Sequence, residues 1–235
     1  RQDENSPNAI VSYYGKGALV ALCLDLHIRS RTAGRRSLDD VMRALWRRYG
    51  RTGIGVPEDG VERVAEEVSG LKLRTLFDRW VRSTAELPFE ETLAMVGVEM
   101  AVRPAESASD RGGKPASKSA AALASRVVLG ARAAADWNDV KLTHVLDGGA
   151  ALAAGLAAGD VIVAMDGIRI TPKTLEGRLA QLRPGDRAQL HVFRRDELHE
   201  LGITFGAAPA DTCALAIDKR APARAASLRR GWLGR

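Results

Sequence analysis

The apolar positions of this chain follow three patterns, and the first is a nearly unbroken run. Ser12-Tyr13-Tyr14-Gly15-Lys16-Gly17-Ala18 leads straight into Leu19-Val20-Ala21-Leu22-Cys23-Leu24. This predicts a helix from about Ile10 to Ile28. A helix coated with apolar side chains all round belongs inside a protein, because only an amphipathic stripe can face water. Asp25 breaks the run before the ~18 apolar residues that a membrane span needs. The expectation is a buried helix with two tyrosines and a lysine at its N-terminal mouth.

The second pattern repeats every three to four residues. Ser37 is a good N-cap with Asp40 in the capping-box position, and Leu38, Val41, Met42, Leu45, Trp46 and Tyr49 follow at helical spacing as far as Gly50. Pro57 suits the first turn of a further helix, whose stripe is Val61, Val64, Ala65 and Val68. There Glu62, Glu66 and Glu67 are expected outward, and Gly70 ends the run. A third helix carries Leu73, Leu76, Phe77, Trp80 and Val81 on one face. With short connections, these helices predict a bundle around the buried one, with the Met and Trp residues in the core. Glu86 to Val102 reads as a short helix and an extended exit over Val98–Val102.

After Arg103 the period disappears. Residues 103–125 are Ala, Ser, Gly, Lys and Pro without apolar repeat, the composition of a mobile linker. The third pattern begins near Arg126 with short strand-like runs separated by turn residues. Val127 to Ala131 is followed by Val140 to Leu146, then by a Gly-rich stretch, a buried strand Val161–Met165 and the turn Asp166-Gly167. A helix about Thr174 to Leu182 comes next. A hairpin, Ala188 to Arg194 and Leu198 to Phe205, is expected to turn at Asp196-Glu197.

Composition adds limits. A hydrophobic share of 46% and a charged share of 27% are those of an ordinary globular protein. The formal charge of +6 is uneven: Lys219, Arg220, Arg224, Arg229, Arg230 and Arg235 stand against only Asp211 and Asp218. A basic tail over 207–235 can meet nucleic acid or acidic lipid, but without interleaved aromatics or a recognition fold a solvated tail is the expectation, with neither partner. Two cysteines make no disulfide framework, and Cys23 reads as a buried small hydrophobe. The first residue is Arg, so the chain reads as a C-terminal piece, and compartment stays open between cytoplasm and periplasm. The histidines, His27, His144, His191 and His199, lack metal-ligand spacing. No nucleotide fingerprint, Walker loop or nucleophile elbow occurs.

Tyr13 and Tyr14 carry the candidate chemistry. A phenol with an ordinary pKa near ~10 stays protonated at neutral pH and can donate to a developing oxyanion. The same residues also fit as amphipathic packing groups with their hydroxyls at the surface.

The stretch Asn5-Ser6-Pro7-Asn8-Ala9-Ile10-Val11-Ser12-Tyr13-Tyr14-Gly15-Lys16-Gly17-Ala18-Leu19-Val20-Ala21-Leu22 resembles the glycyl-aminopeptidase family of zinc metallopeptidases, in the part after the zinc ligands. The shorter pattern Tyr-x-Lys-Gly, Tyr14 to Gly17, resembles the same place in the wider gluzincin aminopeptidases. Ser37-Leu38-Asp39-Asp40-Val41 and Phe77-Asp78-Arg79-Trp80-Val81 extend the likeness, and Gly148 to Gly167 resembles the PDZ pattern. The resemblance implies an α+β fold in two domains. Residues 1–102 would be the all-α part of a metallopeptidase catalytic domain, and 126–206 a PDZ-like β-sandwich or barrel with two helices.

It also implies that Tyr14 hydrogen-bonds the tetrahedral intermediate of a peptide substrate in an intact zinc enzyme. The His-Glu-x-x-His helix and the glutamate ligand of that family are not in this chain, so it is expected to bind no zinc and to be inactive without an N-terminal catalytic half. By resemblance to bacterial PDZ domains, a C-terminal peptide would lie along Gly130 to Ala135. Its carboxylate would sit on Leu129-Gly130-Ala131, with Arg132 beside it, opposite a helix bearing Leu175, Leu179 and Leu182. The alternative to an enzyme part is a non-catalytic PDZ module on a helical scaffold. A PDZ fold used only for packing, its groove empty, stays open as well.

Overall fold

The computed structural model describes residues 3–10 and 12–234. Arg1 and Gln2 of the polar lead-in, Val11 of the expected helix and Arg235 of the expected tail lie outside the described residues. In chain order the helices are α1 (Ser6–Ala9), α2 (Tyr13–Arg31), α3 (Leu38–Leu45), α4 (Gly60–Ser69), α5 (Arg74–Trp80), α6 (Phe89–Ala94), α7 (Ala120–Ala124), α8 (Ala150–Ala153), α9 (Leu175–Leu179) and α10 (Ala223–Leu233). The strands are β1 (Val98–Arg103), β2 (Ala131–Asp136), β3 (Asp139–Val145), β4 (Val161–Met165), β5 (Ile168–Arg169), β6 (Arg187–Arg194), β7 (Glu197–Thr204) and β8 (Thr212–Ile217). The chain divides into two compact units, 12–101 with 215–235 and 1–11 with 102–214. That partition differs from boundaries at 102, 125 and 206, because both ends of the chain fold back onto units begun elsewhere.

The helical unit is built on the second half of α2. Cys23, Leu24 and Ile28 pack with Val41, Leu45, Val64, Leu73, Phe77 and Trp80 in one core. Asp25, the interruption in the apolar run, is buried and fixes the helix. Its Oδ1 accepts from the Leu38 amide at 2.8 Å, satisfying an orphan donor of the first turn of α3, and its Oδ2 accepts from Arg29 Nε at 2.8 Å. Ser37 and Asp40 form the capping box. By length and composition alone, residues 6–31 are apolar enough to cross a membrane; here the half from Cys23 onward is core.

Several expectations fail in this unit. The helix begins at Tyr13 and its first turns are exposed, Leu19 included. Met42 and Trp46 are exposed rather than core, and α3 runs on into a π-helical turn, Trp46–Gly50. Glu62, expected outward, is buried and pairs with Arg82, while Val61 faces water. Glu66 caps α5 by accepting from the Leu73 amide at 2.6 Å.

The basic tail is also ordered. Leu228 of α10 packs with Leu26, Leu93 and Val96, and Arg229 donates to the carbonyls of Val96 and Gly97 at 3.0 and 2.8 Å. Arg224 and Arg229 donate to backbone carbonyls, while Lys219, Arg220 and Arg230 are exposed.

The second unit centres on an antiparallel sheet in the order β2-β3-β4-β6-β7, with β5 paired to β4. Its core holds Val140, Leu142, Ile162, Met165, Leu190, Val192, Ile203 and Phe205. The β6–β7 turn is Arg195-Asp196, one residue earlier than expected, and both residues adopt positive φ. That matches the two-residue turn whose twist suits flanking strands.

Asp160 is buried with a two-pronged bond to Arg194, Nε to Oδ1 at 2.8 Å and Nη2 to Oδ2 at 2.7 Å. Burial alone would raise its pKa; the guanidinium and the Ala157 amide outweigh burial and hold it below the ordinary carboxylate value. The expected mobile linker is hydrogen-bonded. Arg103 meets Asp110 at 2.6 Å, Glu106 accepts from the Ser117 and Lys118 amides, and Leu123 of α7 is buried.

Candidate functional site

Two places present polar groups held from behind and left open in front. The first is the start of α2. Ser12 caps it, its Oγ accepting from the Gly15 amide at 3.3 Å. Tyr13 and Tyr14 stand 74% and 75% exposed, with ring centroids 4.2 Å apart and planes tilted by 33°. The neighbouring Tyr14 hydroxyl pushes the Tyr13 phenol above its ordinary pKa, so Tyr13 is a protonated donor at neutral pH. The Tyr14 ring leans on that of Tyr13 and is otherwise largely open, and the buried half of α2 fixes the axis on which it rides.

Other chemistry-bearing residues near α2 are silent. Burial pushes the Cys23 thiol up, against a smaller opposing pull from Thr92, which removes it as a thiolate nucleophile. Burial, with help from Arg31, lowers the His27 pKa, and its ring stands edge-on to Trp80 at 6.2 Å. Among the described residues no three His, Cys, Asp or Glu side chains gather to hold a metal.

The second place is the loop before β2. Gly130 takes φ +75°, and a Cβ there would meet Gly149 Cα at 2.6 Å, so only glycine fits. The loop is fastened through its carbonyls: Leu129 O accepts from the Ala151 amide at 2.8 Å and Gly130 O from the Leu146 amide at 2.9 Å. Among the described residues, the Leu129 and Gly130 amides have no acceptor. Successive free amides of this kind form an anion nest.

β2 follows directly and, among the described residues, pairs only with β3, with a register shift between Arg132 and Ala133. Its other edge is open, and Arg132, Ala133, Ala134 and Ala135 are exposed. Ala131 and Leu175 pack half-buried on the same core as Leu129. Leu179 is a core residue, which leaves Leu175 and Leu182 as the half-buried apolar groups on that helical segment.

Sequence reasoning missed two features of this unit. Asn8 reaches its carboxamide to both backbone groups at the end of β3, donating to Val145 O at 2.8 Å and accepting from the Asp147 amide at 3.0 Å. Trp137, at the β2–β3 turn, is 99% exposed with φ +55°. Asp-Trp-Asn-Asp between two strands was a readable turn signal, but the exposure of the indole was not.

The geometry just described agrees with likeness to known proteins. Residues 127–205 match the PDZ domain family, and this part of the chain is a PDZ domain. Over 66 residues the chain is 39% identical to the probable periplasmic serine endoproteases, DegP-like, of Brucella suis and Brucella abortus; the match covers 28% of this chain and 13% of each relative. A crystal structure of an aminopeptidase N family protein from Idiomarina loihiensis superposes with a TM-score of 0.87 at 32% identity. That match covers 99% of this chain and 38% of the other. The chain thus spans well under half the length of the proteins it resembles.

Proposed function

We propose that this chain is the C-terminal part of a zinc aminopeptidase in which Tyr14 is the oxyanion donor. The observation that carries the reading is the 32% identity to the aminopeptidase N family protein over 99% of the chain, α2 included. The open phenol on a core-anchored helix supports it. The metal and its ligands are assigned to residues outside this sequence, and the 235 residues alone hydrolyse no peptide.

Tyr14 acts as the peptide carbonyl becomes tetrahedral, donating its hydroxyl hydrogen to the oxygen that gains charge. A donor fixed before reaction needs no reorganisation as that charge develops. In the whole enzyme, Tyr14→Phe is expected to lower kcat by about 10²–10³, with Tyr13→Phe nearer the parent. Near-normal turnover by Tyr14→Phe would remove Tyr14 from the mechanism.

A second reading concerns the PDZ domain, favoured by the two unpaired amides and the open edge of β2. The groove takes peptide C-termini by strand addition, with the carboxylate on Leu129 and Gly130. The amide resonances of these two residues are expected to move on adding a free-acid peptide and to stay in place with the amidated one. Equal shifts with both peptides would contradict it.

A further inference from the structure

We propose that Trp137 anchors the upstream part of a peptide bound along β2, taking an apolar or aromatic side chain about six residues before the peptide's C-terminus. The inference rests on the reading of the groove as a peptide site, and adds to it a specificity determinant at the end opposite the carboxylate loop.

Two unfavourable features meet at Trp137. Its indole is 99% exposed, although a tryptophan side chain is the largest apolar surface a residue can bury. Its φ of +55° lies in the left-handed region, at the first central position of a two-residue hairpin turn that Gly, Asn or Asp ordinarily fills. A bulky residue in that conformation is strained and needs a reason outside the fold.

Asp136 and Asp139 close the hairpin opposite each other, a like-charge pairing that Lys141 and Arg169 relieve by ion pairs of 3.6 and 3.3 Å. The indole stands on this turn and, among the described residues, stacks on no other ring.

Its place follows from the edge. β2 runs six residues from Ala131, beside the carboxylate loop, to Asp136, and Trp137 comes next. A peptide added antiparallel to this edge advances one residue per strand residue. With its terminal residue opposite Ala131, it meets Trp137 about six residues upstream. There the flat ring covers an apolar side chain that otherwise hangs in water. Contacts by buried tryptophan are the ones that dominate binding.

The test uses the full chain and serine-based decapeptides with free carboxyl termini. Their last three positions are randomised over apolar residues, and they carry Phe or Ser about six positions before the end. Pentapeptides with the same ends serve as the short reference. For the tightest member of the pool, the Phe decapeptide is expected to bind the parent about tenfold more tightly than the Ser decapeptide or the pentapeptide. Trp137→Gly should erase that gain and leave pentapeptide affinity unchanged. Glycine accepts the turn's φ, so the variant should melt at or above the parent temperature.

Carboxylate-dependent binding without a Phe preference, or with a preference that survives Trp137→Gly, overturns the role of Trp137 while the groove stands. A lower melting temperature of Trp137→Gly overturns it too, since the indole would then serve the fold. Absence of binding by every free-acid peptide overturns the groove and this inference together.

Discussion

Tyr14 and the amides of Leu129 and Gly130 stand on the same kind of foundation and differ in what completes them. Each is anchored from behind: α2 by Asp25 and the core from Cys23 to Ile28, the loop by two carbonyl bonds and the contact of Gly130 with Gly149. Each leaves its donors open in front. The loop, however, already has the neighbours a ligand needs, an open strand edge and a half-buried apolar floor. Tyr14 is 75% exposed beside the Tyr13 ring, and among the described residues no cluster of three metal-ligating side chains is found. In the proposed reading, the loop site is whole within these 235 residues, and Tyr14 is a donor that needs a further surface to become catalytic.

That contrast can be broken from either side. Asp25→Ala should have the larger effect on stability. It leaves the mostly buried Arg29 without its closest partner and the Leu38 amide without an acceptor, a loss of about 3 kcal/mol. Urea denaturation of the full chain would read it, and affinity for free-acid peptides should be unchanged.

Gly130→Ala should do the reverse. A Cβ at φ +75° and against Gly149 forces the loop to shift, costing about 2 kcal/mol and abolishing carboxylate-dependent binding. Equal loss of peptide affinity in both variants would contradict the independence of the two sites.

The smallest effect is with acid. Asp110 is held well below the carboxylate range by Arg103 first, then by the Glu106 and Gly112 amides. A depressed folded pKa means a stabilisation fully present above the unfolded value near ~3.9 and lost as pH falls towards the folded one. Asp110→Asn should therefore flatten the fall in stability below about pH 4, and leave the slope above about pH 5 as it was.

How far the sequence foretold these features depends on how local their cause is. The turns of the PDZ domain were legible because Gly130, Gly155, Gly159 and Gly167 each take positive φ where a turn requires it, and that demand is written at a single position. Ser37 with Asp40 was legible for the same reason. Glu62 was not, because its partner Arg82 comes twenty residues later and its burial depends on that arginine arriving.

The ordered C-terminal segment was missed because its charge was read as solvation. Arg229 instead finds the carbonyls of Val96 and Gly97 more than a hundred residues away in sequence. The apolar run of α2 was overread. It marks surface that should leave water, and in this chain only the half from Cys23 onward has left it.

The most direct test of the central claim compares ground-state and tetrahedral ligands in the whole enzyme. If the Tyr14 hydroxyl bonds only the developing oxyanion, Tyr14→Phe weakens a tetrahedral phosphinic peptide analogue by about the factor lost in kcat, while KM for the matching substrate barely moves. Unchanged affinity for the analogue alongside a raised KM would show that Tyr14 holds substrate rather than the transition state, and the account would fail.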